Sequence, residues 1–221
     1  MTQDPQAPAA HAERIALIST QRLFAETLGA QVRAARGSEI VVLDGRHPDL
    51  LQACRHAEPV LFLLDIGNWS VPGLTLLSHL IDQLPETPVL VLGDADSDDF
   101  GEVVDRGAAG WLTSEASVGE VIDAVDRLVE GHLVVPSSEL TTMIEQMREP
   151  TPAANEPKLT TRERDVLRAM TVGMSAQAIA DDLGIRVSTA RKHIQNILNK
   201  LGLHSQLQAA AYAARHGISD S

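Results

Sequence analysis

The 221-residue chain predicts an α/β fold, five strand–helix units building a parallel sheet, followed by a small all-α domain. Three observations carry this expectation. Short apolar runs alternate with helically periodic segments from Arg14 to about residue 131, the pattern of a parallel sheet covered on both faces. Beyond residue 158 every apolar pattern has the helical period. Charge changes at the same point: residues 158–221 hold nine Lys/Arg against five Asp/Glu, and residues 1–157 hold nine against 25. A basic end of +4 is thus joined to an acidic front of −16, within a net charge of −12.

Residues 1–12, opening MTQDPQAPAAH, are Pro- and Ala-rich and expected to be disordered. They lack a basic region followed by an apolar one, so no signal peptide is expected. No stretch approaches 18 apolar residues, so no membrane span is expected either. The single cysteine, Cys54, excludes an internal disulfide, fits a reducing cytoplasm and reads as a packed helix residue. Strands are expected at Ile15–Ile18, Ile40–Leu43, Val60–Leu64, Val89–Leu92 and Gly110–Leu112, with helices near 21–35, 48–57, 72–83, 97–106 and 115–131. The ligand edge of such a sheet is the carboxyl end of its strands. There stand Ser19 and Thr20, Asp44, Asp65, Gly93 and Asp94, and Thr113 and Ser114. This front domain is placed at 13–135. Residues 136–157 are read as a helix from Ser137 to about Arg148 and a linker, EPTPAANEPK, whose prolines allow a semi-extended span of about 30 Å.

The all-α domain is placed at 158–221. Thr160 and Glu163 form a capping box ahead of the apolar positions Val166, Leu167 and Met170. Ser175 caps a second helix holding Ala178, Ile179 and Leu183, and Gly184 turns the chain. The third helix is expected from about Ser188 to Leu201, burying Ile194, Ile197, Leu198 and Leu201. Its other face carries Arg191, Lys192, Gln195 and Asn199, with 191, 195 and 199 one turn apart. A helix in a major groove needs such a face, because Arg and Lys pair with guanine and Gln and Asn with adenine. An isolated helix with these residues would be a solvated face. The preceding helix and turn favour double-stranded DNA, a promoter or operator, as the partner.

Catalytic signatures are lacking: there is no GxxxxGK[ST], HExxH, GxSxG or CxxC. His47 and His56 are too far apart for a helical ligand pair. An enzyme is not expected, nor a resident metal or cofactor.

LTxRExxVL, GxSxxxIAxxLGI and STxRxHIxNILxKLG, spread over residues 158–218, resemble the LuxR-type (NarL/FixJ) helix-turn-helix of bacterial transcription regulators. The resemblance implies base reading by Arg191, Lys192 and Gln195, and phosphate contacts by Thr189, His193 and Lys200. Arg186 replaces the usual small cap, so the cap is expected to move to Ser188, and Ala190 replaces a usual Val, which raises a different base preference. The last helix, about Ser205 to His216, forms a dimer contact in the family. Its Leu207, Ala210, Ala211 and Ala214 stripe suits that role and a core role equally.

Residues 13–131 resemble a receiver domain of two-component response regulators, through IALISTQRLFAETL, LFLLDIGNWSVPGL, VLVLGD and GAAGWLTSEAS. On that resemblance Asp65 is the phosphate-accepting position. The acidic pair that would hold Mg²⁺ is Ser19 and Thr20, the switch hydroxyl is Gly93, and the lysine is Ser114. Mg²⁺ prefers hard, charged oxygen ligands, and phosphoryl transfer rests on electrostatic help. The expectation is a degenerate, atypical receiver in which Asp65 caps its loop or accepts backbone N–H bonds. Phosphorylation of Asp65 with substitute metal ligands is the alternative, and a non-DNA-binding scaffold is a third reading.

Control would then come from dimerisation through the fourth helix, fifth strand and fifth helix, from a small ligand around Ser19, Thr20, Asp65, Gly93 and Ser114, or from a partner protein. A homodimer is expected, with a heterodimer of related regulators as the other arrangement. The DADSDD run from Asp94 to Asp99 reads as a solvated loop and helix start rather than a cation site. Trp69 and Trp111 fall near the cleft, with packing the default over ligand stacking.

Overall fold

The computed structural model describes residues 13–67, 69–94, 99–132, 134–135, 159–216 and 218. Its sheet contains β1 (Arg14–Ser19), β2 (Glu39–Asp44), β3 (Leu61–Asp65), β4 (Val89–Gly93) and β5 (Gly110–Thr113). The order is β2-β1-β3-β4-β5 and every pairing is parallel. The covering helices are α1 (Arg22–Arg36), α2 (Leu50–Ala57), α3 (Ser70–Gln83), α4 (Asp99–Asp105) and α5 (Val118–Val129). The segments therefore fall where the apolar runs place them, with ends shifted by a few residues. The helix expected at Ser137 and the linker lie outside the described residues, as do residues 1–12 and 95–98.

The continuous apolar strands split by parity. Phe62 and Leu64 of β3 join Cys54 of α2, Leu77 of α3 and Val103 of α4. Leu61 and Leu63 join Leu28 of α1 and Val125 of α5 on the opposite face. Both faces of β3 and β4 are buried, which is why no polar alternation marks them. At the edge only Ile40 of β2 is buried, and alternation returns. Cys54 is wholly buried, and burial pushes its thiol up to about 11. A capping box between Ser117 and Glu120 starts α5.

The C-terminal helices are α6 (Thr161–Thr171), α7 (Ala176–Leu183), α8 (Val187–Leu201) and α9 (Gln206–Arg215). Thr160 and Glu163 make the expected capping box, and the Ser175 hydroxyl accepts from the Ala178 N–H. Gly184 adopts φ 62°, the left-handed turn between α7 and α8. The start of α8 corrects the sequence reading. Its N-cap is Arg186, without a side-chain cap bond, and Ser188 lies inside the first turn. The Arg186 carbonyl accepts from Thr189 and Ala190, and Ile185 and Ala190 pack in the same core. An apolar staple across the cap thus sets the entry of α8 in place of a hydroxyl. Ala190 is fully buried, so its identity belongs to packing and not to base reading.

The α9 stripe is two-faced. Ala209 and Ala213 complete the core of the helical module, whereas Leu207, Ala210 and Ala211 pack on Val104, with Phe100 and Val135 at the margin. Gln208 Nε2 donates to the Asp105 carbonyl at 2.8 Å. Gly107, at φ 96°, admits His204 so closely that an added Cβ would lie 2.8 Å from the His204 Cβ. Val134 bridges Gly110 at the start of β5. The helical module therefore rests against the amino end of the strands, opposite the Asp65 end.

Candidate receiver site and nucleic-acid interface

The carboxyl end of the sheet gathers the residues that the sequence placed there. Ser19 closes β1, Asp65 closes β3 beside it, Gly93 closes β4, and Ser114 follows β5. Asp65 is only 4% exposed. The Ser19 hydroxyl donates to its Oδ2 at 2.6 Å, and the Gly67 N–H donates to Oδ1 at 3.2 Å. Ser19 Oγ in turn accepts the Gln21 N–H at 2.9 Å. The loop-capping reading of Asp65 matches this geometry. Trp69 covers the same corner: its indole N–H donates to the Asp65 carbonyl at 2.5 Å, and its ring lies where a Cβ on Gly45 would fall, 2.6 Å away.

Thr20 offers the cleft no charge, and its carbonyl accepts from Arg46 Nη2 at 2.8 Å. Nearby Asp44 is exposed, and the Arg46 backbone N–H holds its carboxyl below the usual range. Ser114 Oγ donates to Asp94 Oδ1 at 3.2 Å. Gly93 has a steric reason to be glycine, because a Cβ there would sit 1.9 Å from Trp111 Cη2. Trp111 is 1% exposed and tilts against Phe100 with ring centroids 5.9 Å apart. Both rings are packed against their surroundings, and the Trp111 indole N–H is buried without a hydrogen-bond partner. Of the DADSDD run, Asp99 opens α4 and residues 95–98 lie outside the described residues.

Mg²⁺, which a receiver-like fold implies, does not fit these residues. Two neutral hydroxyls stand where carboxylates would be, and each Asp65 oxygen already accepts a protein hydrogen bond. Among the described residues no group of three or more His, Cys, Asp or Glu could hold a metal ion.

The outer face of α8 is open. Thr189, Arg191, Lys192, Gln195 and Asn199 are exposed, while His193 is half-buried. Gln195 Nε2 donates to Asn199 Oδ1 at 3.1 Å, so these two share one face. Lys200 is engaged, since its ammonium donates to Glu163 Oε2 at 2.8 Å. That ion pair, with the Thr160 N–H behind it, holds the Glu163 carboxyl at about 2.

Sequence reasoning missed the seam between sheet and helical module, where Asp105, Gly107 and His132 meet Gln195, His204, Gln206 and Gln208. One signal existed. Phe100 and Val104 on α4, and Leu207, Ala210 and Ala211 on α9, each add an apolar stripe beyond what one core requires.

A parallel sheet of order 2-1-3-4-5 with an aspartate ending its third strand, joined to a helix-turn-helix, defines a class: the response regulators, a receiver coupled to an output module. The signature of bacterial regulatory proteins of the luxR family matches residues 157–213. Transcriptional regulatory protein MctR of Rhizobium johnstonii is 29% identical over 206 residues, 93% of this chain and 94% of that protein. The Fimbriae Z protein of Salmonella typhimurium is 31% identical over 159 residues, 72% of this chain and 75% of its own. The RcsB response regulator of Salmonella typhimurium shares the fold, with a TM-score of 0.54 at 16% identity over 92% of this chain and 99% of that one. A response regulator RcsB–DNA complex gives 0.53 at 16% identity, over 92% and 98%. The chain belongs to the LuxR-type (NarL/FixJ) family of response regulators, with a receiver domain followed by a LuxR-type DNA-binding domain. Among the described residues no helix is long and apolar enough to cross a membrane.

Proposed function

We propose that this protein is a sequence-specific transcription regulator whose receiver works without aspartyl phosphorylation. The observation that carries the reading is Asp65, 4% exposed and with both carboxylate oxygens already accepting protein hydrogen bonds. An attacking carboxylate must shed those bonds and reach a phosphodonor. The usual charge help is gone, with Ser19, Thr20, Gly93 and Ser114 in the supporting positions. Residues 13–135 form the receiver, 136–157 the connection and 158–221 the DNA-binding domain. Arg191, Lys192, Gln195 and Asn199 read base edges of double-stranded DNA, and Thr189, His193 and Lys200 meet phosphates. The protein acts in the cytoplasm as a DNA-binding protein and not as an enzyme.

The arrangement of the domains supports a control step. Gln195 lines the seam against the receiver, and the α9 face that would pair with a second copy lies on α4. A homodimer through α9 requires the domains to part, and Gln195, exposed at the edge of the seam, stands close to the receiver. A related regulator could offer an equivalent face in a heterodimer.

The test is genome-wide fragment binding by purified full-length protein never exposed to phosphodonor, followed by gel shifts on the recovered site. Specific binding, steeply weakened by salt through counterion release and unchanged by acetyl phosphate with Mg²⁺, is expected. Stoichiometric, acid-labile labelling that disappears in Asp65→Asn and sharpens DNA binding would restore the phosphorylation-dependent reading.

A further inference from the structure

We infer that Arg162 is a positioning residue for DNA reading: its guanidinium, bonded to the carbonyl that ends α7, fixes the angle at which the turn delivers α8. The inference rests on the reading of α8 as the DNA-reading helix. Arg162 stands half-buried in the first turn of α6, and its Nη2 donates to the Leu183 carbonyl at 3.1 Å. Leu183 closes α7 and is followed by Gly184, the left-handed turn residue, and by Arg186, the N-cap of α8. The bond therefore falls between the two helices whose relative placement decides where Arg191 and Lys192 point.

Its own helix gives Arg162 no reason to be a cation. A helix N-terminus carries partial positive charge and favours an acid, as at Glu163. The end of α7 is the opposite case. Its last turn has no basic residue, and the exposed Asp181 and Asp182 stand at the partial negative charge of its C-terminus. Arg162 brings a cation from the neighbouring helix and satisfies one of the carbonyls that no intrahelical N–H can reach.

Apolar packing leaves this end of α7 thinly held. The helix buries Ala176, Ile179 and Ala180, and beyond Ala180 only the partly buried Leu183 meets the core. The core grips the start of α7, and a charge-assisted bond holds its end. At the far end of α8 the next residue of α6, Glu163, accepts from the Lys200 ammonium at 2.8 Å. One turn of α6 thus grips the chain on both sides of the reading face, before Arg191 and after Asn199. Base-reading side chains need placement to about 0.5 Å, which such a grip supplies.

The experiment compares full-length parent, Arg162→Met, Arg162→Lys and Arg164→Met at a temperature where all four are folded. Met keeps the apolar stem and removes charge and donors. Arg164 carries the same charge on the same helix, but its Nη2 bonds the Leu159 carbonyl, away from the turn. Gel shifts on the recovered site and on unrelated duplex give the ratio of specific to non-specific affinity. Arg162→Met should lower this ratio about tenfold, the loss of roughly one base contact. Arg162→Lys should restore most of it, and Arg164→Met should leave it unchanged. The Ile185 amide, which bonds the Ala180 carbonyl at 2.9 Å across the turn, should exchange its hydrogen faster in DNA-free Arg162→Met, by about tenfold. An unchanged ratio, an equal fall in Arg164→Met, or unchanged exchange at Ile185 would overturn the inference. So would a salt slope lower by about one on unrelated duplex, the mark of a lost phosphate contact. A parent that binds no specific site, while Arg162→Met still loosens Ile185, would keep the grip on the turn and sink the regulator reading instead.

Discussion

The carboxyl end of the sheet and the outer face of α8 hold similar inventories of polar side chains and treat them in opposite ways. At the sheet end the polar groups face one another: Ser19 serves Asp65, Gly67 serves Asp65, and Trp69 closes the corner. On α8 Arg191 and Lys192 face solvent, and Gln195 and Asn199 are exposed beside them with one hydrogen bond to each other, on a helix whose other side is buried. A polar group whose bonds are made internally stabilises a fold. One whose bonds are unmade is available to a partner. The comparison teaches that one chain can place similar side chains in opposite settings. The receiver keeps the topology of its family with the polar groups at its sheet end bonded to one another, while the helical module presents its polar face outward.

The outward half of this comparison carries the largest expected effect. Replacing Arg191 and Lys192 by Ala should weaken specific DNA binding by a hundredfold or so, taking about 1–3 kcal/mol per base contact. The melting temperature should stay within about a degree, since both side chains are exposed. Retained specific binding in a gel shift would return α8 to an ordinary solvated face.

Gly93→Thr, which restores the family's switch hydroxyl, is next. Its Cβ would fall 1.9 Å from Trp111, and overpacking of this kind costs about 1–3 kcal/mol. Combining it with Trp111→Phe should recover part of the loss, a non-additivity measurable by urea unfolding. Simple additivity would mean that the two positions do not share this space.

Ser19→Ala sharpens the inward half. It leaves a buried Asp65 oxygen without its hydroxyl donor, and about 1–3 kcal/mol of stability should go with it. An Asp65→Asn control should leave DNA affinity unchanged. An unaltered unfolding midpoint in Ser19→Ala would show that the pair is not the reason for Asp65.

The smallest effect is at Glu163. Its carboxyl is held at about 2 rather than the ordinary 4.5, first by the Lys200 ammonium and then by the Thr160 N–H. A depressed folded-state value means that the stabilising contribution is complete above about pH 4.5 and is lost as pH falls toward 2. Glu163→Gln should flatten this part of the stability profile. By freeing Lys200 for a phosphate, it should also steepen the salt dependence of DNA binding by about one unit of log–log slope. An unchanged acid limb in thermal melts across that window would deny the ion pair a role.

Much of the sheet was legible because its signals are local. Strands such as VLVLG and LFLLD announce themselves by composition, and the Thr160–Glu163 box by spacing. Asp65 was placed correctly because the end of a strand fixes the end of a sheet. The start of α8 was misread because a hydroxyl at Ser188 looked like a cap, whereas packing between Ile185 and Ala190 decides the matter. Gly93 was read as a missing hydroxyl, and its steric cause, Trp111 on the neighbouring strand, is a contact across 18 residues that no period encodes. The seam between the domains was illegible for the same reason. Gln208 meets Asp105 and Leu207 meets Val104 only after both domains are built.

The solitary thiol on α2 supplies the chain with an internal clock. Cys54 is wholly buried and its proton is held to about pH 11, so an alkylating reagent at neutral pH finds neither access nor thiolate. Modification must wait until the sheet domain comes apart. Because Cys54 packs with Phe62 and Leu77 inside the receiver core and not in the α4–α9 cluster, parting of the domains leaves it sealed. The alkylation rate of unmodified protein thus times receiver unfolding alone, without an engineered cysteine.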